Sequence, residues 1–554
     1  MKIEVRMLFA IVLSFLVFFL YQVLVMKKVP LKEKELPKEV ETVQKELPAR
    51  DGGVKALEEE PPPEEMVIAR PLRQERTITV ETQLYVAELT EDGAAIKSFK
   101  LRKFKESLAL DASMKELIRL PDEQQHTPEV SFMGNDLPGL KDAVFQADSE
   151  SEVIDATEAK KALSFTWTSP DGVTILETYS FSPDTYEIGL EIKVRNLFSR
   201  PIEDNLTLSL RNGLKGTKGS RYIFSGPAAL INGDLKEIEV KKITSGSPYA
   251  GSITWVACEG QYFLSAIIPE KPREASMMLH VTPAQVLETT YVDPSGPVLP
   301  KTERTYRYSL YFGPKSLQAL EQVGSELERI VDFGYFDIIA KPLLYAMLFL
   351  HGCIPNYGLA IIIITIITKL VFWPLSNKSY LSMNQMKKLQ PKMKEIRDKY
   401  KHDKKMMNQE LMGLYKIYKV NPLTGCLPMV LQIPVFFAFY KMLYQAIELR
   451  HAPFFLWIND LSAPDRLFQF NLKVPMMTPP YGIPVLTLIM GASMYFQQKM
   501  SPPPGDPTQA KMMMLLPIFF TAIFINFPSG LVLYWLVNNI LSMAQQYYIT
   551  KKTR

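Results

Sequence analysis

Tyr357–Trp373 reads YGLAIIIITIITKLVFW, an apolar run broken by a single charge, Lys369, and closed by Pro374. A run of this kind reads as a membrane-crossing helix. Lys369 stands about twelve residues from the start of the run and five before Pro374, which places it inside the bilayer, toward the end that leads to the next loop. A lysine at the centre of a span costs about 2.5 to 3.5 kcal/mol on insertion scales, so its presence needs a compensating feature.

Working outward, further apolar segments follow at 426–446, 481–497, 513–528 and 529–549. Near the start, Met7–Val25 is apolar for 19 residues apart from Ser14 and Gln22. It is followed by Lys27 and Lys28 without a small-residue cleavage site, which favours an uncleaved anchor (1–26) over a signal peptide. Six crossings result. The 47% hydrophobic and 22% charged composition of the 554 residues would suit a soluble chain, but apolar and charged residues are segregated, so distribution decides the class. A net charge of +4 is too small to argue for a nucleic-acid partner. Cys258, Cys353 and Cys426 are odd in number and far apart, which excludes a disulfide framework and leaves packing thiols.

Loop charge sets the orientation. Residues 374–425 hold twelve Lys or Arg against four acids, which makes this loop cytoplasmic, whereas 447–480 balances three basic against three acidic residues. With the basic tail 550–554 and 498–512 also inside, both termini are cytoplasmic and everything between the first two crossings is periplasmic, in a bacterial inner membrane. Lys27, Lys28, Lys32, Lys34 and Lys38 argue locally against this, but large domains translocate largely regardless of charge.

Residues 27–70, rich in Lys, Glu and Pro, form a tether. From 71 to 324 short strands recur: Thr77–Leu89, Lys161–Thr168, the turn Ser169-Pro170-Asp171-Gly172, Val173–Phe181 and Tyr186–Asn196. They imply an antiparallel β-sandwich. Its histidines, His126 and His280, sit in no recognisable catalytic motif. Residues 325–356 suit an interfacial amphipathic helix, with Leu343, Leu344, Met347 and Leu350 at helical spacing. Within the cytoplasmic loop, Met386, Leu389, Met393, Ile396 and Tyr400 face Met407, Leu411, Leu414 and Tyr418, the pattern of a helical hairpin.

No Asp or Glu occurs in the six spans to pair with Lys369. The ammonium can snorkel along its stem to the cytoplasmic surface, or it can sit in a water-filled groove. Polar company favours the groove: Thr365 lies one turn away, Gln432 is in the third span, and Tyr534, Asn538 and Ser542 form an i, i+4, i+8 stripe in the last. Such residues also glue helices together, so the groove rests mainly on Lys369. Ile483–Phe496 and Met513–Phe527 give apolar runs of roughly 21 to 23 Å, short of a ~30 Å core, which would thin the bilayer locally unless each helix runs a turn further.

Several strings resemble the YidC-type membrane protein insertases, a family shared with mitochondrial and chloroplast insertases. These are Gly358-Leu359 with Ile361–Thr365, Leu389-Gln390-Pro391-Lys392, Val420-Asn421-Pro422-Leu423, Gln497–Ser501 and Phe527-Pro528-Ser529-Gly530-Leu531. The resemblance covers about 354 to the end. The order of anchor, large domain and five more spans resembles the Gram-negative members. It implies a polytopic α-helical membrane protein with a five-helix insertase core and a periplasmic antiparallel β-supersandwich. It also implies that Lys369 takes the place of the family's groove arginine, that Thr365 neighbours it, and that Tyr534 and Trp535 match substrate-contacting residues. Lysine keeps the charge but loses the bidentate fork, and Trp535 stands where tyrosine is common.

The expected activity is therefore insertion, folding and assembly of inner-membrane proteins through a positively charged groove open to the cytoplasm, alone or with the Sec translocon. Lys369, Thr365, Gln432, Tyr534, Trp535 and Asn538 are the candidate substrate-groove residues. Nascent membrane proteins are the expected clients, with the ribosome or signal-recognition machinery docking on the cytoplasmic loops and the short tail offering little to a ribosome. No cofactor, metal, catalytic residue or nucleic-acid site is expected, and there is no P-loop pattern. A transporter or channel using Lys369 as a counter-charge is the alternative, weakened by the lack of intramembrane acids and inverted repeats. An intramembrane protease would need a paired nucleophile and base, and His351 and His451 lie at predicted interfaces without a Ser or Cys motif.

Overall fold

The strand Val173–Phe181 alternates buried and partly exposed residues along its whole length, as does Glu187–Asn196, which pairs with it antiparallel. Two-residue alternation with one face against a core is what these sequences dictate. The turn before them closes through a 3.0 Å bond from the Gly172 N–H to the Ser169 carbonyl, with Gly172 at φ 88°, a conformation glycine adopts without strain. The computed structural model describes residues 76–552, except 110, 122–125, 135, 136, 138, 215–223, 244–247, 419, 421–426 and 501–506. The anchor 1–26, the tether 27–70, the first residues of the β-domain and Cys426 lie outside the described residues.

Among these, 77–314 form one 5-stranded and one 13-stranded sheet. Two expectations are corrected. Thr77–Leu89 is a hairpin of Thr77–Glu81 and Tyr85–Thr90, because the Thr82 hydroxyl accepts the Leu84 and Tyr85 N–H groups at 3.2 and 3.0 Å and turns the chain. The architecture is also not wholly antiparallel: Thr77–Glu81 pairs in parallel with Val153–Asp155. The core is aromatic, with Phe99 4.4 Å from Tyr85 and 5.3 Å from Phe312 between ring centroids.

Helices α1 (Leu317–Val323) and α2 (Asp337–Cys353) follow, separated by 3-10 turns at Leu327–Ile330 and Gly334–Phe336. The stretch 325–356 is thus not one helix. Ala340, Leu344 and Met347 face inward on α2, while Ile338, Tyr345 and Phe349 are exposed. Cys353 is exposed at its end, so it is not a packing thiol.

Next come α3 (Tyr357–Val371), α4 (Trp373–Lys399), α5 (Lys404–Ile417), α6 (Leu427–Gln445), α7 (Val485–Met500), α8 (Pro507–Phe524) and α9 (Ser529–Lys552). A 65° bend at Phe372 separates α3 from α4. By length and apolar composition alone, Gly334–Cys353 is the one described single helix that meets the requirement for a membrane span; α3 and α4 meet it together across their bend. Helices α7 and α8 run 16 and 18 residues, roughly 24 and 27 Å, less than a turn longer than their apolar runs and still short of a ~30 Å core. Gly491 lets them approach, since a Cβ there would stand 2.1 Å from the Thr521 hydroxyl of α8.

Helices α4 and α5 pair through Leu389, Met393 and Leu411, with Met386, Ile396, Met407 and Leu414 against them. Tyr415 closes this seam in place of Tyr418, which is exposed at the helix end. From Gln74 onward the chain is one compact unit. The β-domain meets the helical part through bonds from Gln261 to the Tyr444 carbonyl (3.1 Å) and from Arg450 to the Lys105 carbonyl (2.6 Å), and the connector between them is held by Lys441, which donates to the Phe333 carbonyl at 2.9 Å.

Candidate functional site

Helix α3 starts at an Asn356 cap, whose side chain accepts the Leu359 N–H at 3.0 Å, and its run of β-branched isoleucines packs between α2 and α9. Its inward face presents Ile361, Ile364 and Thr365, and its outward face Ile366, Ile367, Leu370 and Val371. Lys369 leaves the inward side just before the bend. Its ammonium donates to the Ser542 hydroxyl at 2.6 Å and lies 3.4 Å from the Asn538 amide oxygen, both on α9. Gln432 of α6 donates to the same Asn538 oxygen at 2.8 Å. One amide oxygen thus ties three helices together.

These partners are neutral, and no acid stands beside the ammonium among the described residues. Hydrogen bonds to an ionised donor are the strong ones, which explains how a cation is tolerated here. Ser542 also donates to the Asn538 carbonyl at 2.7 Å, leaving its lone pairs for the ammonium. A cavity borders the cluster, lined by Thr365, Thr368, Lys369, Ser376, Gln432 and Asn538 among others. In this conformation it has room for about one water.

Of the sequence candidates, Lys369, Gln432 and Asn538 are brought into direct contact. Thr365 borders the cavity, but its hydroxyl is committed to the Ile361 carbonyl at 2.6 Å. Tyr534 lines it too, with its ring stacked 4.3 Å from Phe439. Trp535 does not: it points between α6 and α8, with its ring 4.8 Å from Phe436 and 5.0 Å from Phe524. One residue of offset turns a helical side chain by about 100°, which separates it from Tyr534. Asn539 is turned away in the same manner and donates to Ser493 of α7 at 3.0 Å.

Thr368 and Ser376 belong to the cavity and were not anticipated. Thr368 was legible, three residues after Thr365 on the same face; Ser376 was not, since it reaches the cavity only because the chain bends at Phe372. Among the described residues no cluster of His, Cys, Asp and Glu could hold a metal ion.

Comparison with known proteins agrees with this architecture in both halves. The family model described as the 60Kd inner membrane protein matches residues 349–554, and the YidC periplasmic domain matches 77–346. The membrane protein insertase YidC of Syntrophus aciditrophicus is 42% identical over 86% of each chain. The YidC proteins of Geobacter metallireducens and Pelobacter propionicus are 40% and 41% identical over 99% of this chain, covering 98% and 99% of their own lengths. By these matches the chain, with its β-rich domain of the periplasmic type, is an inner-membrane protein insertase and not an enzyme, and it belongs to the YidC family.

Proposed function

We propose that this chain inserts client membrane proteins by sheltering their polar flanks beside Lys369, in a groove that widens from the small cavity seen here and opens toward the cytoplasm. The contact of Lys369 with Ser542 and Asn538 carries this reading, because it keeps an uncompensated positive charge between helices whose outer faces are apolar. A client's hydrophobic segment slides past α6 and α8 into lipid while its flank pauses at the cation. Burial of apolar area, about 25 cal/mol per Å², and the membrane potential drive the step.

In this reading the chain crosses the membrane six times: the segment 1–26, α3 with the start of α4, α6, α7, α8 and α9. Both termini and the α4–α5 hairpin are cytoplasmic, and the β-domain, a supersandwich, is periplasmic. Helix α2 lies along the periplasmic surface instead of crossing. Its start contacts α6, with Phe336 and Phe437 stacked 5.7 Å apart, and its end returns to the start of α3, where His351 and Tyr357 stack at 3.7 Å. Folding and assembly of clients, cooperation with the Sec translocon and docking of ribosome or signal-recognition machinery on the hairpin belong to the same proposal.

Insertion into liposomes of clients with acidic or neutral translocated tails tests it. Lys369→Arg is expected to preserve both, and Lys369→Glu to slow the acidic clients selectively; normal insertion of acidic clients by the Glu variant would refute the role of charge.

A further inference from the structure

The segment joining α6 to α7 carries a feature that the groove does not use. Leu456, Phe468 and Met476 all hold left-handed backbone, at φ 59°, 50° and 64°. Their side chains are 87%, 73% and 72% exposed, and Leu472 is 73% exposed. A non-glycine residue in that region is strained, and a large apolar side chain left in water forgoes the gain of burial. Both penalties recur at three positions of one segment, and contact with an apolar medium would offset the second.

This segment is pinned at a defined level of the molecule. Its Leu461 and Ala463 carbonyls accept the Gly530 and Ser529 N–H groups of α9 at 2.9 and 2.8 Å. Asp465 accepts the Leu486 N–H of α7 at 2.7 Å and the Thr487 hydroxyl at 3.1 Å, serving as a cap supplied from outside the helix. Arg466 donates to the Ile525 carbonyl at 2.8 Å and to Asn526 at 3.2 Å, just past the end of α8. Phe454 lies over Gly358 at the start of α3, where a Cβ would stand 2.0 Å from its ring. The segment therefore lies across the starts of α3, α7 and α9 and the end of α8.

We infer that Leu456, Phe468, Leu472 and Met476 are immersed in the bilayer leaflet on the β-domain side, at the boundary of headgroups and acyl chains, a placement that rests on the multi-span reading above. Lipid is the occupant because the pins hold these side chains at the level where helices with apolar outer faces leave the bilayer, and beside the pins Leu488 and Ile489 at the start of α7 and Ile523 near the end of α8 are themselves exposed. Lys473, exposed beside Leu472, can lay its stem on the acyl region and place its ammonium among lipid phosphates. The immersed residues brace the ends of four helices against the leaflet.

Site-directed spin labelling of the full chain in liposomes tests this, with Cys258, Cys353 and Cys426 replaced by serine. Labels at Leu456→Cys, Phe468→Cys and Leu472→Cys should collide more with oxygen, which concentrates in lipid, than with a water-soluble nickel chelate. A label at Ile367→Cys reports whether α3 lies in lipid, and one at Asp171→Cys in the β-domain gives the aqueous reference. If Ile367→Cys is lipid-facing while the three segment labels prefer nickel, the immersion is overturned and the span reading stands. Shielding of the segment labels from both reagents also overturns it, in favour of a protein partner or a second copy. A nickel-preferring label at Ile367→Cys would overturn the span reading itself.

Discussion

Lys369 of α3 donates to Ser542 of α9 at 2.6 Å, across a gap whose other ties are amide groups from Gln432 and Asn538. Ser542→Ala leaves the ammonium with Asn538 alone, and loss of a hydrogen bond to a charged group costs about 1.5 to 3 kcal/mol. The variant should melt earlier in detergent yet still insert clients. Ser542→Asp, by contrast, places a carboxylate beside the cation. It should melt no earlier than the parent while losing insertion of clients with acidic tails, which separates the stability of the helix contact from the availability of its charge.

The β-domain holds a carboxyl that resists ionisation. Glu177 is wholly buried between strand neighbours Phe165 and Ile192, and this desolvation lifts its pKa from 4.5 to about 8, while Tyr179 donates to its Oε2 at 3.3 Å. In the unfolded chain the group ionises near its ordinary value, so unfolding releases a proton at intermediate pH. Stability should therefore fall as pH rises from about 4.5 to about 8 and level off on either side, with a total loss on the order of 5 kcal/mol. Glu237 and Glu448, both raised to about 7 by burial, act in the same direction. Glu177→Gln should flatten the pH dependence of near-ultraviolet circular dichroism melts and raise stability at pH 8.

Where the β-domain meets the helices, Lys315 and Glu259 form a buried ion pair. Desolvation raises the Glu259 pKa and Lys315 opposes the rise, so each charge depends on the other. Lys315→Met strands the carboxylate and should destabilise the chain by about 3 to 5 kcal/mol, whereas the double variant Lys315→Met with Glu259→Met should recover most of the loss. A thermal double-mutant cycle measures the difference; a double-variant loss equal to the sum of the two single losses would mean the pair is not coupled.

The sequence made the class of the molecule legible because bilayer physics is written in composition: a run such as Ile361–Thr365 has few other uses. Alternation identified Val173–Phe181, whereas the break at Thr82 escaped because a single threonine hydroxyl turns the chain there. In the candidate site, the i, i+4, i+8 stripe of α9 pointed to the face where Asn538 and Ser542 meet Lys369, and the lone charge pointed to Lys369 itself. Ser376 was out of reach, since its place depends on the bend at Phe372. Trp535 was grouped with Tyr534 by the family resemblance, although consecutive helical residues point apart. The pinning of 447–480 by Asp465 and Arg466 was also invisible, because charge balance in a loop says nothing about which backbone groups its side chains will satisfy.

Chemical replacement of the cation probes the central claim most directly. Lys369→Cys, in a chain with Cys258, Cys353 and Cys426 replaced by serine, should insert acidic-tailed clients poorly into liposomes. Reaction from the cytoplasmic side with an aminoethyl methanethiosulfonate restores an ammonium near the original position and should recover insertion, while the negatively charged sulfonatoethyl reagent should react without recovering it. Failure of either reagent to reach the thiol, or equal insertion before and after aminoethylation, would contradict a water-accessible charge acting between α3 and α9.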